Sequence, residues 1–242
     1  MVEKLNLTKH SGSEDAKSMD VSIVPGTARW LGRGGYGTVA ENALRVEHNG
    51  QERIVHLALK NYRNYGRANE EKEIEHEFAM YKACKDAGMH VLPTYRIDTN
   101  RGIIAMTDFS DGGEYVVFST PENSSSVPNE KELPKLQHID NFESFIRSFL
   151  QDAKKAADNN IQIYRDAFLF RFLKDGRHRG TLEYVLSDFN NVGVFKKERK
   201  NNLCESNLSE CRLAVTLFLL TFVEKDAQKE LVDTIDKIAT TI

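Results

Sequence analysis

The chain has 242 residues, a formal net charge of −3, 40% hydrophobic residues and 29% charged residues. This length allows a single domain or one unit of two lobes, and the composition excludes a wholly disordered chain. The slight negative charge excludes a broad positive field, so nucleic acid is not expected as a partner.

Residues 1–26 mix lysine, serine, aspartate and glycine without a period, and we interpret them as a flexible leader or a loosely docked arm. Residues 38–47 alternate as a strand does, Asn49-Gly50 is a preferred hairpin dipeptide, and residues 53–61 read as the return strand. The sequence therefore predicts a β-hairpin after a glycine-rich stretch.

Residues 68–87 change to a helical pattern, with apolar side chains at spacings of three and four. Residues 91–97 and 103–107 then read as two strands around a turn. The predicted order of loop, hairpin, helix and two strands indicates a small antiparallel sheet that carries one helix.

The rest of the chain predicts a second, mainly helical part. A surface loop is expected over residues 121–134, a helix over 141–158, and strands over 168–173 and 182–186. Residues 208–242 predict two helices separated near residues 224–227.

The glycine-rich stretch has the form G-x-G-x-x-G-x-V, with Gly32, Gly34, Gly37 and Val39 at the fixed positions. A plain hairpin turn explains the glycines alone equally well. A dinucleotide-binding motif requires a helix after the glycines, and the hairpin that follows them disfavours it.

The return strand ends in Leu57-Ala58-Leu59-Lys60, close to the V-A-I-K form of a nucleotide-binding lysine. With this loop, hairpin and lysine in order, the chain resembles the eukaryotic-type protein kinase family. The resemblance implies an α+β, bilobed, kinase-like fold with an N-lobe over residues 27–107. The hinge and a shortened, mainly helical C-lobe would occupy residues 108–242.

The resemblance also implies ATP as the ligand. Lys60 would hold phosphates and Glu77 would hold Lys60, with Glu73 and Glu75 as competing partners. Met106 would lie near the gatekeeper position at the hinge. The residues implied for nucleotide binding are Gly32, Gly34, Gly35, Gly37, Val39, Ala58, Lys60, Met106, Thr107, Phe109 and Arg171.

Tyr164-Arg165-Asp166 stands where the family has H-R-D, so Asp166 would be the base that receives the acceptor proton. Asp188-Phe189-Asn190 stands in place of D-F-G, so Asp188, with Asn190, would hold Mg²⁺. For both aspartates, a capping or turn carboxylate is the competing interpretation. Asp108-Phe109 also begins with Asp-Phe, but it follows the strand at the hinge, and we reject it as the metal site.

One departure concerns the second metal. The family places an asparagine five residues after the catalytic aspartate, where this chain has Arg171. The metal-binding role of that asparagine could pass to Asn190 or Asn191, or Arg171 could itself engage phosphate. The alternative is that the chain is not a full catalyst. Ala-Pro-Glu is absent and few residues follow Asn190, so a complete activation segment cannot fit.

These patterns predict an ATP- and Mg²⁺-dependent phosphotransferase that acts on a protein hydroxyl. The alternatives are a nucleotide-binding pseudokinase that acts as an interaction module, and a small-molecule kinase related to antibiotic and choline kinases. A protein substrate or protein partner is expected in the first two cases.

Cys84, Cys204 and Cys211 form neither a CxxC pair nor a zinc spacing, which predicts thiols in a reducing compartment such as the cytoplasm. The first 20 residues contain no apolar signal segment. The longest apolar run, residues 213–223, is shorter than the roughly 20 residues that span a bilayer, so no membrane association is expected.

Overall fold

The computed structural model describes residues 4–8, 19–33, 37–48, 51–62, 67–98, 103–109, 135–174, 178–195 and 200–242. The chain divides into two compact units. The first unit comprises Met1–Phe78 and Leu92–Asp108, and the second comprises Ala79–Val91 and Phe109–Ile242. The sequence analysis placed the boundary between the two lobes at residues 107/108. The observed division differs because residues 79–91 belong to the second unit.

The first unit contains an antiparallel sheet and most of one helix. Its elements are β1 (Lys4–Thr8), β2 (Met19–Ile23), β3 (Arg29–Arg33), β4 (Thr38–His48), β5 (Gln51–Asn61), α1 (Arg67–Asp86), β6 (Thr94–Asp98) and β7 (Ile103–Thr107). The strand order is β2-β1-β6-β7-β5-β4-β3, and β2 also pairs with β4. Six strands therefore form a closed ring, and β3 pairs with the first half of β4.

Strands β1 and β2 correct the expectation of a flexible leader at residues 1–26. Each has only five residues, and β1 reaches its second partner, β6, about 90 residues later in the chain. Such short strands give a weak alternating signal, and their pairing depends on distant parts of the chain. The composition of residues 1–26 therefore did not indicate these two strands.

One face of the sheet carries an apolar core. Its buried members are Leu44, Leu59, Ile103 and Ala105, and partly buried side chains of β2, β4, β5 and β6 pack against them. Leu59 lies directly opposite Ala105, and Leu44 lies opposite both Val55 and Ile23. Residues opposite each other in antiparallel strands share a face, so these rows stack into one core.

The described residues of the second unit form three α-helices and five strands, in addition to the end of α1. Its elements are β8 (His138–Ile139), α2 (Phe142–Asp158), β9 (Ile161–Ile163), β10 (Phe168–Lys174), β11 (Arg179–Leu186), β12 (Val192–Val194), α3 (Lys200–Phe222) and α4 (Lys225–Ala239). Strands β10 and β11 form a hairpin, β8 runs parallel to β11, and β9 pairs with β12. The predicted α+β class, with an antiparallel sheet and a largely helical second part, is confirmed. The predicted loop at residues 121–134 lies outside the described residues.

Aromatic packing and one asparagine hold the second unit together. The ring centroid of Phe149 on α2 lies 4.7 Å from the centroids of both Phe168 and Tyr184. Asn207 on α3 is fully buried; its amide nitrogen donates to the Ile161 carbonyl at 2.8 Å, and its side-chain oxygen accepts from Ile163 N at 3.0 Å. A buried amide satisfied in this way fixes the alignment of α3 with β9.

Among the described residues, no helix is long and apolar enough to cross a membrane.

The core of the first unit yields a stability prediction. Leu44 is completely buried, whereas Ile54 on β5 is 58% exposed. Leu44→Ala removes buried methyl groups and leaves a cavity, so we expect the free energy of unfolding to fall by about 3–5 kcal/mol. Ile54→Ala, the control, should lower it by less than about 1 kcal/mol. Urea denaturation followed by circular dichroism measures both values, and equal losses would contradict the core assignment.

Candidate functional site

Lys60 and Glu77 form a buried ion pair in the first unit. Lys60 Nζ lies 3.1 Å from each carboxylate oxygen of Glu77. Lys60 is 7% exposed and Glu77 is not exposed at all. Removing two charges from water is expensive unless they neutralise each other and are hydrogen-bonded, which this two-point contact provides. Of the three glutamates that the sequence offered as partners, the structure brings Glu77 to the lysine.

The helical pattern of α1 explains why Glu77 points inward. Its neighbour Phe78 is 5% exposed and Tyr81 is 6% exposed, so this side of α1 is buried. Glu75 is exposed and Glu73 is partly exposed. Because 3.6 residues complete a helical turn, Glu77 lies on the same side as these aromatic residues, where Lys60 is its counter-ion.

Four residues predicted for nucleotide binding share one face of the sheet. Val39 on β4 lies opposite Lys60, and Met106 on β7 lies opposite Ala58. Ala58 and Lys60 are two residues apart on β5 and therefore point the same way. This face, opposite the apolar core, thus combines two small or branched apolar side chains, one methionine and one cation.

Thr107 belongs to the other face. It lies opposite Leu57, a residue of the apolar core, and its backbone N–H donates to the Pro93 carbonyl at 3.0 Å. Its part in nucleotide binding stays a prediction, as does that of Phe109.

The last glycine of the motif makes a close backbone contact. A Cβ atom on Gly37 would lie 2.2 Å from the Asn61 carbonyl oxygen and 3.4 Å from Tyr62 Cα. Only glycine allows this approach. Gly32 belongs to β3 and lies opposite Val39. Gly34 and Gly35 lie outside the described residues.

A row of charged side chains, which the sequence analysis missed, crosses the same face as Ala58. Glu41, opposite Ala58, accepts hydrogen bonds from Arg29 Nε at 2.5 Å and bonds to His56 Nδ1 at 3.0 Å. Arg29 Nη2 also donates to Asp108 Oδ2 at 3.1 Å. The bond to Glu41 raises the pKa of Arg29. Asp108, rejected above as a metal ligand, thus has an arginine partner within its own unit.

The segments that carry Asp166 and Asp188 are hydrogen-bonded to each other within the second unit. Asp166 lies in a 3₁₀ turn, Arg165–Ala167, between β9 and β10, and Asp188 follows β11. The N–H groups of Ser187 and Asp188 both donate to the Ala167 carbonyl, at 2.9 and 3.2 Å. This shared acceptor ties the segment of one aspartate to that of the other.

The side chains around Asp188 are compatible with Mg²⁺. Asp188 Oδ2 accepts a hydrogen bond from Asn191 Nδ2 at 3.1 Å, and Asn190 follows in the same short turn. In the part of the chain that the structure describes, no three His, Cys, Asp or Glu side chains group as a metal site. Mg²⁺ usually takes one or two carboxylates and fills its shell with phosphate oxygens and water, so one aspartate with neighbouring amides fits it.

Arg171 already has strong partners within the second unit. It lies on β10 directly opposite Glu183, and its Nε donates to Glu183 Oε2 at 2.7 Å. Its Nη1 donates to the Phe109 carbonyl at 3.0 Å, and its guanidinium lies 4.5 Å from the Phe109 ring centroid. These contacts explain an arginine at this position without a phosphate, whose binding here stays a prediction.

Asp152 anchors a second polar cluster that the sequence analysis missed. It is 1% exposed, and its Oδ2 accepts from His90 N at 2.8 Å, His90 Nδ1 at 2.7 Å and Tyr184 OH at 2.9 Å. Lys155 Nζ donates to Oδ1 at 2.7 Å. Burial, with the Asp152 charge, raises the pKa of Tyr184. The sequence did contain a signal for this cluster. Asp152 lies among the apolar residues on one side of α2, where a carboxylate requires partners.

Two solved protein kinase structures are among those similar to this chain, both at low identity. One is the Rio2 kinase of Chaetomium thermophilum in complex with ADP, Mg²⁺ and phosphoaspartate, with 13% identity, a TM-score of 0.47 and coverage of 90% of this chain. The chain spans 66% of that structure's length. The other is the PknI kinase domain of Mycobacterium tuberculosis, a double mutant, with 13% identity, a TM-score of 0.39, and coverage of 90% of this chain and 96% of that one.

No protein-family profile and no curated protein sequence match the chain. With both TM-scores below 0.5, the two structures establish neither family membership nor reaction.

The close contact at Gly37 generates a prediction. Gly37→Ala forces the end of β5 to move, so we expect a loss of about 1–3 kcal/mol in the free energy of unfolding. Gly193→Ala is the control, because its Cβ would meet Phe195 Cε2 at an ordinary 3.5 Å. Thermal denaturation compares the two, and an unchanged melting temperature in Gly37→Ala would contradict the contact.

Cys84 provides a pH-dependent prediction. Burial, with a smaller contribution from the Asp152 charge, raises its pKa from 9.0 to about 12. In the pH window from 9.0 to about 12, the folded state retains a proton that the unfolded state loses, so this thiol's contribution to stability falls as pH rises through that window.

Because the thiolate is the reactive form, Cys84 should resist iodoacetamide in the folded protein at mildly alkaline pH, whereas the partly exposed Cys204 is labelled. Mass spectrometry of the peptides measures both rates. Labelling of Cys84 as fast as Cys204 would contradict this prediction.

Proposed function

We propose that this chain is an ATP- and Mg²⁺-dependent phosphotransferase that transfers the γ-phosphate to a protein hydroxyl. The observation that carries the proposal is the buried Lys60–Glu77 pair on the sheet face shared with Val39, Ala58 and Met106. Stability alone does not account for a buried ion pair, because well-packed apolar residues at the same positions often stabilise a protein equally well. A cation fixed next to an apolar face is, however, what a nucleotide requires for its phosphates and its base.

The site residues of the first unit divide the binding of the nucleotide among them in this proposal. Val39, Ala58 and Met106 supply apolar contact for the base. Lys60 places a fixed positive charge on the phosphates, and Glu77 keeps the ammonium in position. The backbone N–H groups of the glycine motif supplement this charge, as glycine loops do at phosphates.

Residues of the second unit supply the groups for transfer. Asp166 would accept the proton of the attacking hydroxyl, a task that contributes roughly 10²- to 10⁴-fold in rate. Asp188, with Asn190, would hold Mg²⁺. When bound, this ion neutralises charge on the phosphate oxygens. The shared hydrogen-bond acceptor at Ala167 supports assigning two parts of one reaction to these aspartates.

Nucleotide binding is tested by thermal stabilisation with MgATP. A ligand at a hundredfold excess over its Kd adds about 2.7 kcal/mol to the free energy of unfolding. Because Lys60→Met alone leaves the Glu77 charge buried and unpaired, the double variant Lys60→Met/Glu77→Gln is the proper test. We expect it to lose most of the stabilisation, while Lys72→Met, an exposed change on the same helix as Glu77, keeps it.

The Mg²⁺ requirement is tested in the same assay. We expect Asp188→Asn to abolish the part of the stabilisation that depends on Mg²⁺, because an amide replaces the charged ligand. Equal stabilisation by ATP with and without Mg²⁺ in the wild type would refute the metal assignment.

Phosphoryl transfer is tested with γ-labelled ATP, a panel of protein substrates and the chain itself as acceptor. Asp166→Asn should reduce transfer by about 10²-fold or more while it leaves ATP-induced stabilisation unchanged. Asp158→Asn, at an exposed position at the end of α2, is the matched control. Transfer at wild-type rate in Asp166→Asn would contradict the assignment of the base.

A second candidate function is a nucleotide-binding pseudokinase that acts through protein contacts. The contacts of Arg171 favour it, since the residue at the expected metal-binding position bonds to Glu183 and Phe109. This alternative predicts stabilisation by ATP without Mg²⁺ and no transfer that depends on Asp166. The two assays above therefore separate the candidates.

A further inference from the structure

Tyr62 lies beside the buried ion pair. Its ring centroid is 5.2 Å from Lys60 Nζ, and only 1% of its surface is exposed. Tyr62 follows Lys60 by two residues, just after the end of β5. The ammonium group therefore contacts a carboxylate and an aromatic ring together.

The physical effect of the ring follows from its charge distribution. An aromatic face carries negative electrostatic potential and attracts a cation within about 6 Å, most strongly where water is excluded. Glu77 accepts two hydrogen bonds from the same ammonium group. An aliphatic side chain in place of Tyr62 would fill similar space but would offer the cation no attraction.

The backbone around Tyr62 is also fixed. Gly37 approaches the Asn61 carbonyl so closely that no larger residue fits, and its missing Cβ position lies 3.4 Å from Tyr62 Cα. The end of the glycine motif therefore lies against the backbone immediately before Tyr62.

From these contacts we infer that Tyr62 is a positioning residue for Lys60, which keeps the ammonium in place for an anionic phosphate ligand. This inference rests on the proposed function, because it assigns Tyr62 an effect on nucleotide affinity through Lys60. Tyr62 itself touches no phosphate in this scheme. Nothing in the glycine-loop or V-A-I-K pattern points to an aromatic residue at this position.

The first experiment reads the contact without nucleotide. In protein labelled with ¹³C-lysine, the ring current of Tyr62 should shift the Lys60 side-chain resonances away from those of the other lysines. Tyr62→Phe keeps this shift and Tyr62→Leu removes it. Tyr95→Leu, which changes an aromatic residue packed on the opposite, apolar face, is the control for stability and should leave the Lys60 resonances in place. Unchanged Lys60 resonances in folded Tyr62→Leu would overturn the inference.

The second experiment measures ADP affinity by calorimetry. We expect Tyr62→Leu to weaken binding about tenfold and Tyr62→Phe by less than about twofold. In the Lys60→Met/Glu77→Gln background, Tyr62→Leu should produce no further loss, because two residues that act through one group are not additive. A merely structural tyrosine would weaken binding equally in both backgrounds.

The outcomes separate the two proposals. Wild-type affinity in Tyr62→Leu, or an equal loss in both backgrounds, overturns the role of Tyr62 and leaves the proposed function standing. A wild-type protein that binds no nucleotide overturns the proposed function, and the role of Tyr62 with it. The resonance measurement distinguishes that case, because it reports the Lys60–Tyr62 contact without nucleotide.

Discussion

The first unit depends on one constraint: a lysine and a glutamate are buried together and must remain paired. Removing either partner alone leaves an uncompensated charge and costs about 3–5 kcal/mol, a large share of a typical domain's stability. The pair joins β5 to α1, the helix that follows it in the chain, so the packing of α1 on the sheet and the placement of the cation depend on each other. Selection for stability alone would favour apolar residues at both positions.

The sequence predicted this part of the molecule because its signals are local. The glycine motif, the Asn-Gly dipeptide and the alternating strands fix the hairpin within about 30 residues. The helical period then places Glu77 on the same side as Phe78 and Tyr81, which was enough to prefer it over two neighbouring glutamates. The roles of Asp166 and Asp188 also come from local patterns, and they stay predictions.

Other features were missed because they depend on residues far apart in the chain. The pairing of β1 with β6 and the contact of His90 with Asp152 span about 90 and 62 positions. No local period reports such contacts. Arg171 is a further example: its cross-strand pairing with Glu183 was not predicted, whereas its contact with a phosphate stays a prediction.

The closed ring of strands has a practical consequence for the choice of where a recombinant, shortened chain begins. A recombinant chain that begins at residue 27, just before the glycine motif, would lack β1 and β2. Strand β6 and half of β4 would then have a neighbour on one side only. Unpaired strand edges invite association with other chains. An insoluble product from such a truncation would therefore report a broken sheet and would carry no information about whether the remaining residues bind ATP.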